Sequence, residues 1–149
     1  MPKRREIGRF VAFVIRFVGL VGLFVSPGCG SEKSARDDAS AVLEAISRLD
    51  PSAPAETRRA AINAVAALPL QNQELDALRG VCLDAHRGLL EAEVIQNEVR
   101  QALAGTPPAP EALPALQAKM QGAARTLTLA QAALTTCENR SREATLRYR

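Results

Sequence analysis

The sequence predicts an all-α body, an antiparallel long helical hairpin with two shorter helices packed on it, giving a bundle of three to four helices. Three observations lead there. From Gly30 onward the composition turns to Ala, Leu, Arg and Glu, and every apolar repeat has helical rather than alternating spacing. Two long stretches carry their apolar residues at alternating steps of three and four, the spacing of a heptad seam. Between them stands Thr106-Pro107-Pro108-Ala109-Pro110, which cannot be helical throughout, so the second stretch folds back on the first.

The residues ahead of this body differ in kind. The 149-residue chain has a formal net charge of +3, but Lys3, Arg4, Arg5, Arg9 and Arg16 against Glu6 place +4 before residue 29 and leave −1 for the remainder. The basic balance therefore belongs to a leader and is no reason to read the chain as a nucleic-acid binder. That leader has a cationic start, an apolar run over 10–25 interrupted by Arg16, and the small-residue exit Ser26-Pro27-Gly28. A membrane span needs roughly 20 apolar residues. The uninterrupted run over 17–25 has instead the size of a signal-peptide core, and Pro27 with Gly28 break any helix before the cut.

Residues Val25-Ser26-Pro27-Gly28-Cys29 resemble the lipobox of bacterial lipoprotein signal peptides. Gly28 and Cys29 match that family's small residue and cysteine, while Ser26 and Pro27 stand where Leu and Ala or Ser are usual. The resemblance implies cleavage between Gly28 and Cys29 and a diacylglyceryl group on the Cys29 thiol. With a further N-terminal acyl chain, several buried chains would hold the mature protein on a membrane. Gly30 follows rather than the Asp that often marks inner-membrane retention, so a periplasm-facing lipoprotein, on the outer membrane before the inner, is expected. The likeness covers the leader alone. The expected organisation is a signal peptide over 1–28, a lipidated cysteine and short polar tether over 29–34, and a helical bundle domain over 35–149.

Within the bundle, a first helix over 34–49 places Val42, Ile46 and Leu49 on one face and stops at Asp50-Pro51. Ser52 offers a cap for a second helix, with Pro54 tolerated in its first turn; Ala61, Ile62, Val65 and Leu68 face inward before Pro69 ends it. Asn72 caps a third, long helix ending near Ala104-Gly105, and a fourth starts between Pro110 and Pro114 and runs almost to Arg149.

The third helix carries the seam Leu75, Leu78, Cys82, Ala85, Leu89, Ala92, Gln96, Val99 and Leu103. The fourth carries Leu116, Met120, Ala123, Leu127, Ala130, Leu134, Cys137, Ser141 and Ala144. Folding back through the proline-rich turn sets Leu103 opposite Leu116 and, layer by layer, Leu75 opposite Ala144. In most layers a large residue meets a small one, which lets layers interdigitate without voids. The same register sets Cys82 opposite Cys137, and in an exported chain such a pair is expected as a disulfide.

Chemistry-bearing groups are sparse. The chain has one histidine, His86, four residues after Cys82 on the same helix face. With Cys137 opposite, the trio sketches a Cys2His metal site. A disulfide would consume both sulfurs, however, and zinc sites take four ligands or three plus water, so no metal or other cofactor is expected. His86 is expected half-exposed on the surface. Nothing groups a serine with a histidine base, so no enzyme is predicted. Arg140, Arg142, Arg147 and Arg149 make the end of the fourth helix basic, the sign that complements its dipole, and Glu74 and Asp76 come to the same end. Asn139-Arg140-Ser141 fits a glycosylation acceptor, but a bacterial-type leader and a helical setting set it aside. Gln96, the polar layer opposite Ala123, is expected to specify register.

The function expected is that of a lipid-anchored bacterial cell-envelope protein acting as a non-catalytic interaction or scaffold module. Its partners would be the membrane, through Cys29, and an envelope protein rather than a nucleic acid; a second copy would equally complete a four-helix dimer. The alternative class is an envelope carrier of a small molecule or metal, with a cavity in the Ala-rich bundle and His86 near its wall.

Overall fold

The computed structural model describes residues 30–105 and 108–149. The leader, with Gly28 and Cys29, lies outside the described residues. In chain order the elements are α1 (Gly30–Ser47), α2 (Ala55–Ala66), α3 (Gln73–Ala104), one 3-10 turn (Pro110–Ala112) and α4 (Leu113–Arg147). The architecture is the all-α bundle expected, with α3 and α4 as its antiparallel hairpin.

Residues 30–34, expected as a tether, are instead the first turn of α1. Their polarity does not oppose a helix. Glu32 sits in the first turn, where the dipole favours an anion, and accepts from Arg36 one turn on at 3.0 Å. The cap expected from Ser52 is also replaced. Asp50 accepts hydrogen bonds from the Ser52 backbone N–H at 2.8 Å and hydroxyl at 2.7 Å, closing the α1–α2 turn, and α2 starts after Pro54 with no side-chain cap. Those two bonds, helped by the Arg58 charge, hold the Asp50 carboxyl below its ordinary range.

Asn72 caps α3 as its sequence position suggests, its side-chain oxygen accepting from the N–H groups of Glu74 at 2.9 Å and Leu75 at 3.2 Å. The same residue joins three helices. Its backbone N–H, with that of Gln71, donates to Asp38 of α1, and its amide donates to the Tyr148 hydroxyl at the end of α4, 3.2 Å away.

The hairpin keeps the register read from its heptads. Glu74 is ion-paired with Arg147 at one end, Cys82 is disulfide-bonded to Cys137 across a Cα separation of 4.9 Å, and Glu98 accepts from Lys119 at 3.3 Å towards the turn. Every residue that α4 buries is small: Ala123, Ala130, Cys137 and Ala144, seven apart. α3 buries Leu78, Ala85, Ala92 and Val99, also seven apart, together with Leu75 and Cys82, which the register sets opposite Ala144 and Cys137. The larger seam residues Leu89, Leu127 and Leu134 stand half-buried along the edges.

The short helices cover only the half of the hairpin that holds the chain's last turns. Ala39 and Val42 of α1 pack on Leu75, Leu78, the cysteine pair and Ala144. Leu49 joins Ile62 and Val65 of α2 against Leu83 and Leu90. Val42 is wholly buried, which for such a side chain stabilises by about 1.5–3 kcal/mol. The 32 residues of α3 run about 48 Å and the 18 of α1 about 27 Å. Toward the turn the seam is consequently uncovered, with Leu103 52% and Met120 40% exposed.

Candidate functional site

The features that carry chemistry gather where α1, α2 and the hairpin meet. The disulfide forms the floor. Both of its cysteines are buried, so the sulfurs of the trio Cys82, His86 and Cys137 are spent on each other. No group of three His, Cys, Asp or Glu placed to hold a metal ion occurs among the described residues.

His86 is not the half-exposed surface residue its polarity suggested; it is 6% exposed. The reason is the α1–α2 turn, whose length nothing in the helix pattern of α3 records. Leu49 and Pro51 from that turn and Leu134 from α4 line one groove together with His86. His86 forms no hydrogen bond to any described residue. Burial depresses its pKa below the usual 6.5, and the Arg58 charge acts the same way. At neutral pH the ring is uncharged, with one nitrogen donating and one accepting.

Arg58 of α2 is the second buried polar residue, 5% exposed, and the sequence reading missed it. Its Nη1 is ion-paired with Glu93 of α3, whose side chain is half-exposed. Its Nε has no partner among the described residues. The sequence signal was slight, since Arg58-Arg59 on a short helix reads as a solvated pair. Only the second of them, paired with Glu56 in the first turn, is solvated.

Between α1 and α4 runs a groove of about 460 Å³. Its apolar wall is Leu43, Ile46, Leu49 and Leu134, and its polar lining includes His86, Ser141, Glu138 and Arg142. The Ser141 hydroxyl oxygen is buried without a hydrogen-bond partner. Glu138 and Arg142, four apart on α4, form no ion pair with each other, so each remains open to whatever enters. A second groove of about 530 Å³, between α2 and α3, is lined by Ile62, Leu90, Val94 and Ile95 with Arg59 and Arg87, and holds no buried polar group.

The C-terminal arginines take the positions expected of them. Arg147, in the last turn of α4, pairs with Glu74 across the hairpin, while Arg140, Arg142 and Arg149 are exposed. Gln96 is half-buried, and Ala123, which the register sets opposite it, is buried. No helix among the described residues is long and apolar enough to cross a membrane. No family model, curated protein or solved structure matches the chain.

Proposed function

We propose that the protein is a lipid-anchored component of a bacterial cell envelope, acting as a non-catalytic interaction or scaffold module. The observation that carries this reading is the lipobox-like run over 25–29 behind a cationic and then apolar leader. Two features of the fold support it. A structural disulfide persists in oxidising compartments, the periplasm among them. The turn end of the hairpin, where Leu103, Leu113 and Met120 are exposed, is an apolar face of the kind that helical partners use.

In this reading the lipid on Cys29 enters the membrane, α1 continues the chain from it, and the hairpin carries its apolar end away from that attachment. Cys29 is the acylated residue and Gly28 the last residue removed. Metabolic labelling with an alkyne fatty acid, followed by intact mass, tests it. The wild-type chain is expected to take the label and to begin at Cys29, whereas Cys29→Ser takes none. A variant that still incorporates the label, or a wild-type chain that begins elsewhere without acyl groups, overturns the reading.

A further inference from the structure

α4 is covered on two of its sides. Its column of small buried residues faces α3, and the stretch over 134–145 borders the groove shared with α1. Residues 125, 129, 132, 136, 139, 143 and 146, none of which lines that groove, recur at alternating steps of four and three. They form a second heptad seam on α4, and every one of them is exposed. Leu129 and Leu146, at 72% and 73%, are the most exposed large apolar side chains described, and both stand on this seam. So do a single cation, Arg125, and a single anion, Glu143. Neither has an ion-pair partner among the described residues.

These charges select an occupant. A second α4 laid parallel and in register would set Arg125 against the partner's Arg125, and like charges in contact oppose association. Laid antiparallel about a two-fold axis, the seam meshes only at registers seven residues apart, because its steps of three and four must interleave. One of those registers sets Arg125 opposite the partner's Glu143, and the symmetry makes that pair twice. It also sets Leu129 beside the partner's Asn139 and Ala132 beside the partner's Thr136, and it rests Leu146 on the partner's helix one turn before Arg125. The neighbouring registers leave Arg125 opposite Thr136 or Glu143 opposite Ala132, a charge covered without a counter-charge. Beside the seam, Thr126 shares a shallow hollow with Asp84 of α3. The favoured register brings the partner's Arg142 opposite Thr126, so a second anion also meets a cation. We infer that this face of α4 binds a second copy of the chain, antiparallel, joining two hairpins through their fourth helices. The inference goes beyond the anchored scaffold and holds whether or not Cys29 is acylated.

The test is sedimentation velocity of the full chain in a density-matched nonionic detergent, where any association through the leader is common to all variants. The wild type is expected to dimerise with a dissociation constant on the order of 10 μM. Arg125→Glu and Glu143→Arg, each alone, set like charges opposite one another and are expected to weaken the dimer at least about tenfold. The two together restore the pair with its signs exchanged and are expected to return it to within about threefold of wild type. Leu129→Asp is expected to weaken it as much as either single reversal. All three positions are exposed in the single chain, so the helical circular dichroism is expected to stay unchanged. A wild type that is monomeric at about 100 μM gives the face to a different protein or to solvent and overturns the second copy. A dimer that none of these variants weakens is joined elsewhere and overturns the interface. Single reversals that weaken it without rescue by the pair overturn the register.

Discussion

Gly88 of α3 lies directly against Ala130 of α4: a Cβ placed on Gly88 would come within 2.8 Å of the Ala130 Cβ. This contact lets the hairpin close on small residues, and neither atom belongs to a flexible side chain that can swing aside. Gly88→Ala therefore pits a helix-propensity gain of about 1 kcal/mol against overpacking that costs about 1–3 kcal/mol. A net loss is expected. Gly122, exposed in α4 with nothing near its missing Cβ, is the control. Gly122→Ala gains the propensity alone, so the two variants should move Tm in opposite directions in a thermal melt. A rise for both would show that α3 and α4 stand further apart than 2.8 Å implies.

The disulfide joins residues 55 apart in sequence. A crosslink closing a loop of that length removes denatured-state entropy worth about 4 kcal/mol. Replacing both cysteines by Ala is expected to lower the urea midpoint accordingly, with little change in the far-ultraviolet circular dichroism of the folded state. Thiol counting on the wild-type chain, before and after reduction, checks the bond itself; two free thiols without reductant would contradict it.

His86 makes stability depend on pH. Its folded pKa is depressed below 6.5, first by burial and then by Arg58. Glu138 and Arg142 of α4 line the same groove, while Glu93 on its own helix is engaged by Arg58. Below pH 6.5 the unfolded chain takes up a proton that the native chain resists, so stability rises with pH. The contribution is whole above that value and is lost as the pH falls through it towards the lower folded pKa. Urea midpoints at pH 7.5 and 5.0 should drop further for the wild type than for His86→Gln; equal drops would place the imidazole in solvent.

Arg58 and Glu93 make an asymmetric pair, one buried and the other half-exposed. Glu93→Gln strands a buried cation and is expected to cost about 1–2 kcal/mol, less than the loss for a fully buried pair because water still reaches one side. Arg58→Met removes the charge together with its desolvation and is expected to cost less than Glu93→Gln. Chemical denaturation of the two variants ranks them; a reversed order would mean that the guanidinium is solvated.

What the sequence made legible was whatever one helix period dictates. The seam residues, their register and the apposition of Cys82 with Cys137 follow from heptad spacing and one fold-back, so each could be read from residue numbers alone. The burial of His86 and Arg58 depends on where the α1–α2 turn comes to rest, a matter of loop geometry that no periodicity encodes. The groove was legible only as an expectation of some cavity near His86. Its other wall is α1, whose position along the hairpin is fixed by Asp38 accepting from Gln71 and Asn72, a polar contact between residues more than thirty apart. The helical start at Gly30 carried a readable signal, the Glu32 and Arg36 pair, that the polarity of the segment obscured.

The docking of α1 on residues 134–145 has a consequence for biogenesis. Synthesis runs from the N-terminus, so α1 emerges before α2, α3 and α4, while the α4 surface it packs beside lies over residues 134–145. Until those residues leave the ribosome, Leu43 and Ile46 have no α4 wall to close against and Cys82 has no Cys137 to pair with. The nascent chain is thereby kept from completing its bundle before α4 has been made. Closure of α1, formation of the crosslink and docking of Tyr148 on Asn72 become the concluding steps of maturation.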